Sequence, residues 1–295
     1  MAKTKTSQEG WRTTKKERRN YIIGDLGRTL EGYIVTAMMS TFMIFQGIDM
    51  TAVAGAMVVK MIDAFDDVIF GYFVDRIHIT EWKALKKITG DGKYLPWYRL
   101  TYFLFPIFTA LFFCMPKGWS AGAKIVWFFV FYLLYDLTYT LVEVPMQSMI
   151  VTLTDNTDER NSILQTKTIL NSLATIGAGM LWTIAISEYV GIGIRDIALV
   201  SSVVFFFMML PMCKGVKEHN TTLANVDPEE NEKYTLKDMW NCIRTNKYLM
   251  LLLLSTVITS CLNTGGAVGL LVSYYHFGSS LVMAIPILIS LIPVI

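Results

Sequence analysis

Asp63-Ala64-Phe65-Asp66-Asp67-Val68-Ile69-Phe70-Gly71-Tyr72-Phe73-Val74-Asp75-Arg76 is the stretch that decides how this 295-residue chain is read. It closes an apolar run that begins near Ala52. At helical spacing Asp63, Asp67, Gly71 and Asp75 fall on one stripe, with Lys60 a turn before Asp63. Carboxylates in a membrane-length segment are costly, so they are read first as functional. Asp75 and Arg76 mark the membrane edge, and Gly71 belongs with them to the exit of the helix, as a gate or hinge contact. Asp63 lies about 18 Å deeper at 1.5 Å per residue. Asp63 and Asp67 would repel if both were ionised. A bound cation, a shared proton or Lys60 would relieve that.

The composition agrees with a membrane setting. Hydrophobic residues make up 53% of the chain and charged residues 17%, with mean hydropathy +0.44. Those values describe an all-α polytopic membrane protein rather than a soluble domain. The net charge of +2 gives no reason to expect a nucleic-acid partner. Cys114, Cys213, Cys242 and Cys261 form no CxxC pair and have no histidine at metal spacing, which argues against a disulfide framework or a zinc site. The spans hold no Ser/His/Asp, Cys/His or metal constellation, so neither an enzyme nor a cofactor is expected. Residues 1–20 are basic without an apolar core, and the next segment carries Arg28 and Glu31, unlike a cleavable signal peptide.

A spanning helix needs roughly 20 mostly apolar residues. Eight candidates follow, at about 22–45, 50–74, 98–115, 122–153, 162–187, 196–213, 247–273 and 279–295. The basic residues sort by side. The N-terminal arm holds seven Lys/Arg and the 75–99 loop six, while alternate connections are short and nearly neutral. Lys and Arg favour the cytoplasmic side, which places the N-terminus inside. The expected organisation is a basic arm over 1–20, a six-helix bundle over 21–213, a charged cytoplasmic linker over 214–246 and the start of a second bundle over 247–295. Six helices, a charged linker and further helices is the layout of the major facilitator architecture. The chain ends at Ile295, within the eighth apolar run. The sequence therefore predicts about eight of twelve transmembrane helices, a truncated form of that bundle.

Other spans carry polar residues too. Asp25, Arg28 and Glu31 recur every three residues in the first, so Arg28 can pair with either acid as an intrahelical bridge that snorkels to the membrane edge, or can serve a functional site. In the fourth span Asp136, Thr140, Glu143 and Gln147 share a face, and Pro145 frees the Leu141 carbonyl. Such a face lines a water-filled cavity or hydrogen-bonds between helices. The fifth span begins after Asp158-Glu159-Arg160 and carries Gln165, Lys167, Thr168 and Asn171. Lys167 snorkels or pairs with Glu143. Trp97 and Trp119 are placed in the interfacial belt.

Taken together the motifs resemble the glycoside–pentoside–hexuronide:cation symporter family, the melibiose permease-like group of the major facilitator superfamily. Tyr21-Ile22-Ile23-Gly24-Asp25-Leu26-Gly27 is similar to the family's glycine-rich opening. Ile62 to Gly71 resembles its second-helix cation motif, and Gly92-Lys93-Tyr94-Leu95-Pro96-Trp97 its Gly-Lys-x-x-Pro-Trp. Thr138-Tyr139-Thr140-Leu141-Val142-Glu143-Val144-Pro145, followed by Asp158-Glu159-Arg160, resembles the fourth-helix motif. Order and spacing carry the likeness, which covers most of residues 20–290.

The resemblance implies coupled transport of a sugar or glycoside with Na+, Li+ or H+ by alternating access. It implies a cation site at Asp63, Asp67 and Thr140, with Asp66 in support. It implies a substrate site of Arg28, Tyr139, Glu143, Gln147, Lys167 and Thr168. Departures lie on the sugar side: Thr29 stands where relatives have an acid or amide, Gln147 where an aromatic stacks, and Thr168 where the fifth helix has an arginine. Glu31 on another face is the candidate to compensate for Thr29. The 77–91 loop is longer than in melibiose permease, and the last four helices, which complete the family's sugar cavity, are missing. The expectation is a monomeric, multi-pass plasma-membrane symporter in a lipid bilayer. The alternative is a non-transporting membrane sensor or scaffold, or a non-functional fragment of such a transporter.

Overall fold

The computed structural model describes residues 11–49, 70–71, 73–74, 76–77, 79–219, 236–255, 269, 272–273 and 275–289. Those residues form helices and connecting turns, with no strand among them. The long helices are α1 (Lys15–Phe45), α5 (Ala121–Leu153), α6 (Thr157–Ile186) and α7 (Ile194–Gly215). Shorter ones are α2 (Lys83–Thr89), α3 (Leu95–Thr101), α4 (Leu104–Phe113), α8 (Leu236–Thr245) and α9 (Ala284–Ile289). Among the described residues α5, α6 and α7 are long and apolar enough to cross a membrane by length and composition. The 31 residues of α1 are long enough, about 46 Å at 1.5 Å per residue, and its polar positions set it apart. Most of the second expected span and the middle of the seventh lie outside the described residues, which cover the eighth as far as residue 289.

Several boundaries move for local reasons. α1 starts at Lys15, inside the expected arm, because Thr14 and Glu17 form a reciprocal capping box. α6 starts at Thr157 rather than after Arg160, because Asn156 Oδ1 accepts from the Asp158 and Glu159 amides. The third span is split into α3 and α4. Pro106 has no amide hydrogen and its ring crowds the carbonyl four residues back, at Tyr102, where the break falls. By contrast α5 runs unbroken through Pro145. The Leu141 carbonyl that Pro145 leaves unpaired lies 3.2 Å from the Thr101 hydroxyl of α3.

Packing centres on α1, which lies along α7 and against α6, while α4 packs on α5 and α7. The opening glycines explain the closest of these contacts. A Cβ on Gly24 would come within 2.7 Å of Met212 Cβ, and one on Gly27 within 2.9 Å of Met208 Cβ. Only a bare backbone lets α7 approach so near. Toward the far end Phe42, Phe112, Phe113 and Phe128 are buried together, with edge contacts of 5.0–5.5 Å between centroids. There Lys124 donates to the Gln46 carbonyl at 2.7 Å and satisfies the C-terminus of α1.

The end that carries the N-terminal arm is fixed by acids on backbone amides. Glu159, fully buried, accepts from the Arg12 and Thr13 amides at 3.1 Å each and from the Thr154 hydroxyl at 2.5 Å, as well as from the Thr13 hydroxyl. Glu218 accepts from the amides of Lys93, Tyr94 and Leu95 at 3.0, 2.9 and 2.6 Å and caps α3. This also accounts for the Gly92-Lys93-x-x-Pro96-Trp97 motif. Gly92 has φ +126, and a Cβ there would lie 2.6 Å from Glu218 Oε1. Pro96, in the first turn of α3, lacks only an amide hydrogen the helix does not use. Trp97 is held by its indole, which donates to the Ile77 carbonyl at 3.2 Å. Residues 216–219, expected as the start of the linker, therefore pack back on the bundle. The His219 amide donates to the Thr152 carbonyl at 3.0 Å, and its ring lies 3.0 Å from Glu17 Oε1.

Candidate functional site

About midway along α1 the chain buries a set of charges that no membrane edge explains. Asp25 is fully buried and Arg28 is 5% exposed. Arg28 is the hub. Its Nη1 lies 3.0 Å from Glu143 Oε1 and donates to the Tyr139 hydroxyl at 3.0 Å, both on α5. Its Nη2 lies 3.3 Å from Asp25 Oδ1 and 3.2 Å from the Thr29 hydroxyl. On the other side of Asp25, Lys167 of α6 places Nζ 3.4 Å from Oδ1 and 2.7 Å from Gln147 Oε1. Asn171, one turn further along α6, donates to Asp25 Oδ2 at 2.7 Å and to the Thr29 hydroxyl at 3.2 Å.

The result is an alternating row, Lys167, Asp25, Arg28, Glu143, across three helices. Two cations and two acids balance, which is what makes burial of Asp25, Arg28 and Lys167 tolerable. Side-chain neighbours hold the row in place. Tyr139 is packed by Phe105 and Tyr135 at 5.6 and 6.2 Å between centroids, and its ring also faces the Arg28 guanidinium. Lys167 lies over the ring of Tyr21, whose hydroxyl donates to the Met146 carbonyl at 3.0 Å. Glu143 is the accessible member, with a quarter of its side chain exposed. Arg28 Nε and Asn171 Oδ1 are buried without a hydrogen-bond partner among the described residues. A donor and an acceptor are thus left over in the cluster, the combination a hydroxyl-bearing molecule satisfies.

Most of the expected sugar-side residues meet here: Arg28, Tyr139, Glu143, Gln147 and Lys167. Three expectations change. Lys167 contacts Asp25 and Gln147 rather than pairing with Glu143. Arg28 pairs with Asp25 and, across helices, with Glu143, while Glu31 points to another face and accepts from Ser202 of α7. Thr168 stands outside the cluster. Its side chain is exposed and its hydroxyl donates to the Leu164 carbonyl of its own helix. Thr140 is buried on α5, three residues before Glu143. Asp63, Asp66 and Asp67 lie outside the described residues.

Asp25, Thr29 and Asn171 join the site without having been picked as site residues. The signal was present. Asp25 and Thr29 are four apart on α1, Lys167 and Asn171 four apart on α6, and a cation with an amide facing an acid with a hydroxyl is a complementary pairing. What the sequence lacked was the knowledge that those two faces meet.

Against this geometry the likeness to known proteins is specific. The family model described as MFS/sugar transport protein matches residues 20–291. The isoprimeverose transporter of Lactiplantibacillus pentosus is 27% identical over 241 residues, 76% of this chain and 47% of that protein. An uncharacterized symporter, YjmB, of Bacillus subtilis strain 168 is 24% identical over 288 residues, 92% of this chain and 58% of its own. A glucuronide carrier protein homolog of Escherichia coli K12 is 27% identical over 175 residues, 57% and 34% of the two chains. The chain spans about half the length of the first two of these relatives. With the family match running through α1, α5 and α6, which carry the charged row, the chain belongs to the MFS/sugar transport protein family, in its glycoside–pentoside–hexuronide:cation symporter group.

Proposed function

We propose that this chain serves sugar:cation symport across the plasma membrane, with the Arg28 cluster contacting the sugar. One observation carries the proposal. A balanced row of four charges, three of them buried, lies midway along helices of a transport family, where the cost of such groups calls for a use. The row can open. Glu143 is partly exposed and Arg28 has a second acid in Asp25, so a hydroxyl-bearing ligand competes for Glu143 without stranding the guanidinium. A sugar, which donates and accepts through each hydroxyl, also meets the unpartnered Arg28 Nε and Asn171 Oδ1.

The cation, Na+, Li+ or H+, is assigned to Asp63 and Asp67 with Asp66 in support and Thr140 as a hydroxyl ligand. Thr140 and Glu143 lie on one face of α5, so a filled cation position would order the acid that meets the sugar. The protein acts as a monomer, with its N-terminal arm in the cytoplasm on the strength of the arm's seven Lys/Arg.

The test is uptake of labelled isoprimeverose and of a labelled glucuronide by vesicles carrying the protein, with Na+ and with K+ in its place and over a range of pH. Cation-stimulated uptake is expected, and Asp63→Cys is expected to remove the stimulation. Unchanged cation dependence in that variant would sink the cation assignment. Glu143→Gln removes a charged hydrogen-bond partner worth about 1.5–3 kcal/mol, so sugar affinity should fall roughly 10- to 100-fold. Equal affinity would place the sugar elsewhere.

A further inference from the structure

Glu31 is a buried acid that the charged row does not use. It sits near the middle of α1, fully buried, and about 120° around the helix from Asp25 at roughly 100° per residue. Its surroundings differ in kind from those of Asp25 and Glu143. Among the described residues no Lys, Arg or His comes within ion-pair distance of it. α7 offers the Ser202 hydroxyl, which donates to Glu31 Oε1 at 2.7 Å. α4 offers Thr109, whose hydroxyl hydrogen is already given to the Phe105 carbonyl at 3.0 Å. α5 brings Tyr135, whose hydroxyl donates to the Gly32 carbonyl next to Glu31 at 3.5 Å. α6 turns its cation, Lys167, to Asp25 instead. Glu31 Oε2 is left buried with no hydrogen-bond partner among the described residues.

Hydrogen-bond counting then decides the matter. An ionised carboxylate only accepts, and among the described residues Oε2 makes no hydrogen bond to a donor. A carboxylic acid has a hydrogen to give. Thr109 Oγ, having spent its own hydrogen on Phe105, keeps lone pairs to accept one. With a proton on Oε2 Glu31 has a hydrogen to offer toward Thr109, which itself donates to the Phe105 carbonyl, while Ser202 donates to Oε1. The buried charge, which has no counter-ion among the described residues, is removed at the same time.

We infer that Glu31, between Ser202 and Thr109, is a proton-binding site of this protein, separate from the Arg28 cluster and from Asp63 and Asp67. The proton comes from water and returns to it when α1 moves relative to α4 and α7 and the carboxyl is wetted. Glu31 therefore links the protonation of the protein to the arrangement of its helices. The transport reading matters only for the use to which that link is put.

Infrared difference spectroscopy of the full chain in lipid vesicles tests the site without reference to sugar. The expected result is a carbonyl band of a protonated carboxylic acid that shifts in D2O, bleaches as pH is raised, and is missing in Glu31→Gln. The amide keeps the shape and the bond from Ser202. A band of equal size in Glu31→Gln overturns the inference. Should that variant fail to fold, Ser202→Ala keeps the acid and removes the hydroxyl that donates to Oε1. A displaced band supports the site, and a band left in place refutes it. Replacing Na+ with K+ should leave the band unchanged; a band that disappears on adding Na+ would assign the position to the metal ion and overturn the proton. Vesicles that show the band and no sugar uptake would overturn the transport reading alone.

Discussion

Two groups of buried or half-buried acids in this protein are held by different means. In the middle of the bundle Asp25 and Glu143 are held mainly by cationic side chains, Arg28 and Lys167. At the arm end Glu159 and Glu218 are held mainly by backbone amides and hydroxyls, most of them from segments distant in sequence, with Arg18 at 3.6 Å from Glu159 Oε1 as the one cation among these contacts. The energetics differ accordingly. Backbone amides are fixed by the fold, so the arm end is a rigid staple of helix ends and loops. Charged side chains have rotamers and alternatives, and Arg28 divides itself between two acids. The first arrangement suits a scaffold. The second suits a place where a ligand enters by exchanging partners.

The sharpest way to break this contrast is to remove the hub. Arg28→Gln leaves Asp25 with Lys167 and Asn171, and leaves Glu143 without a cation. Taking one partner from a buried ion pair costs about 3–5 kcal/mol. If the cluster binds sugar, most of that loss appears in binding, as a fall in uptake efficiency of two orders of magnitude or more at roughly tenfold per 1.4 kcal/mol. The measurement is uptake beside thermal unfolding of the same preparation. A variant that unfolds easily yet transports normally would make the row a structural brace and erase the distinction between the two regions.

The arm end should respond in the reverse sense. Burial pushes the carboxyls of Glu17 and Glu159 up, but hydrogen bonds outweigh it. Thr14 and His219 hold Glu17, and Thr13, Thr154 and the Arg12 amide hold Glu159, below the ordinary 4.5. The folded form then binds fewer protons than the unfolded form at acid pH. The stabilisation is complete above pH about 4.5 and fades as pH falls through the lowered folded values. Glu159→Gln should cost about 1–3 kcal/mol at neutral pH and flatten the acid limb of the melting curve, with uptake per folded molecule unchanged. An acid limb as steep as in the original protein would show that Glu159 is not the titrating staple.

How much of this was legible in the sequence follows the same division. The Arg28 cluster was half visible, because charges in apolar segments announce themselves whatever they touch. Arg28, Glu143 and Lys167 were picked for that reason. Their pairing was not visible, since it depends on which faces of α1, α5 and α6 meet, and Asp25 passed for one end of a local bridge. The arm end was nearly invisible. Glu159 and Glu218 look like ordinary solvated charges of loops, and nothing local says that one takes the amides of Arg12 and Thr13 and the other those of Lys93 to Leu95. The split of the third span was readable at Pro106 and passed over, because hydropathy runs evenly through it. Gly92 was seen as part of a motif, but its reason, a positive φ against the Glu218 carboxylate, needed the partner in place.

The smallest expected effect separates neighbours. Lys167 and Thr168 adjoin in sequence, and both were candidates for the sugar side. Adjacent helical residues point about 100° apart, and here only Lys167 turns inward. The Thr168 hydroxyl is spent on the Leu164 carbonyl and its side chain is exposed. Thr168→Val, which deletes the hydroxyl at nearly constant shape, should change stability by no more than about 0.5 kcal/mol and leave the half-saturating sugar concentration where it was. Lys167→Met, the matched change one residue earlier, strips Asp25 of a counter-charge and Gln147 of its donor and should raise that concentration at least severalfold. A Thr168 variant that behaved like the Lys167 variant would mean that this face of α6 turns toward the sugar in another arrangement of the helices. The cluster would then be one half of a site that closes from that side.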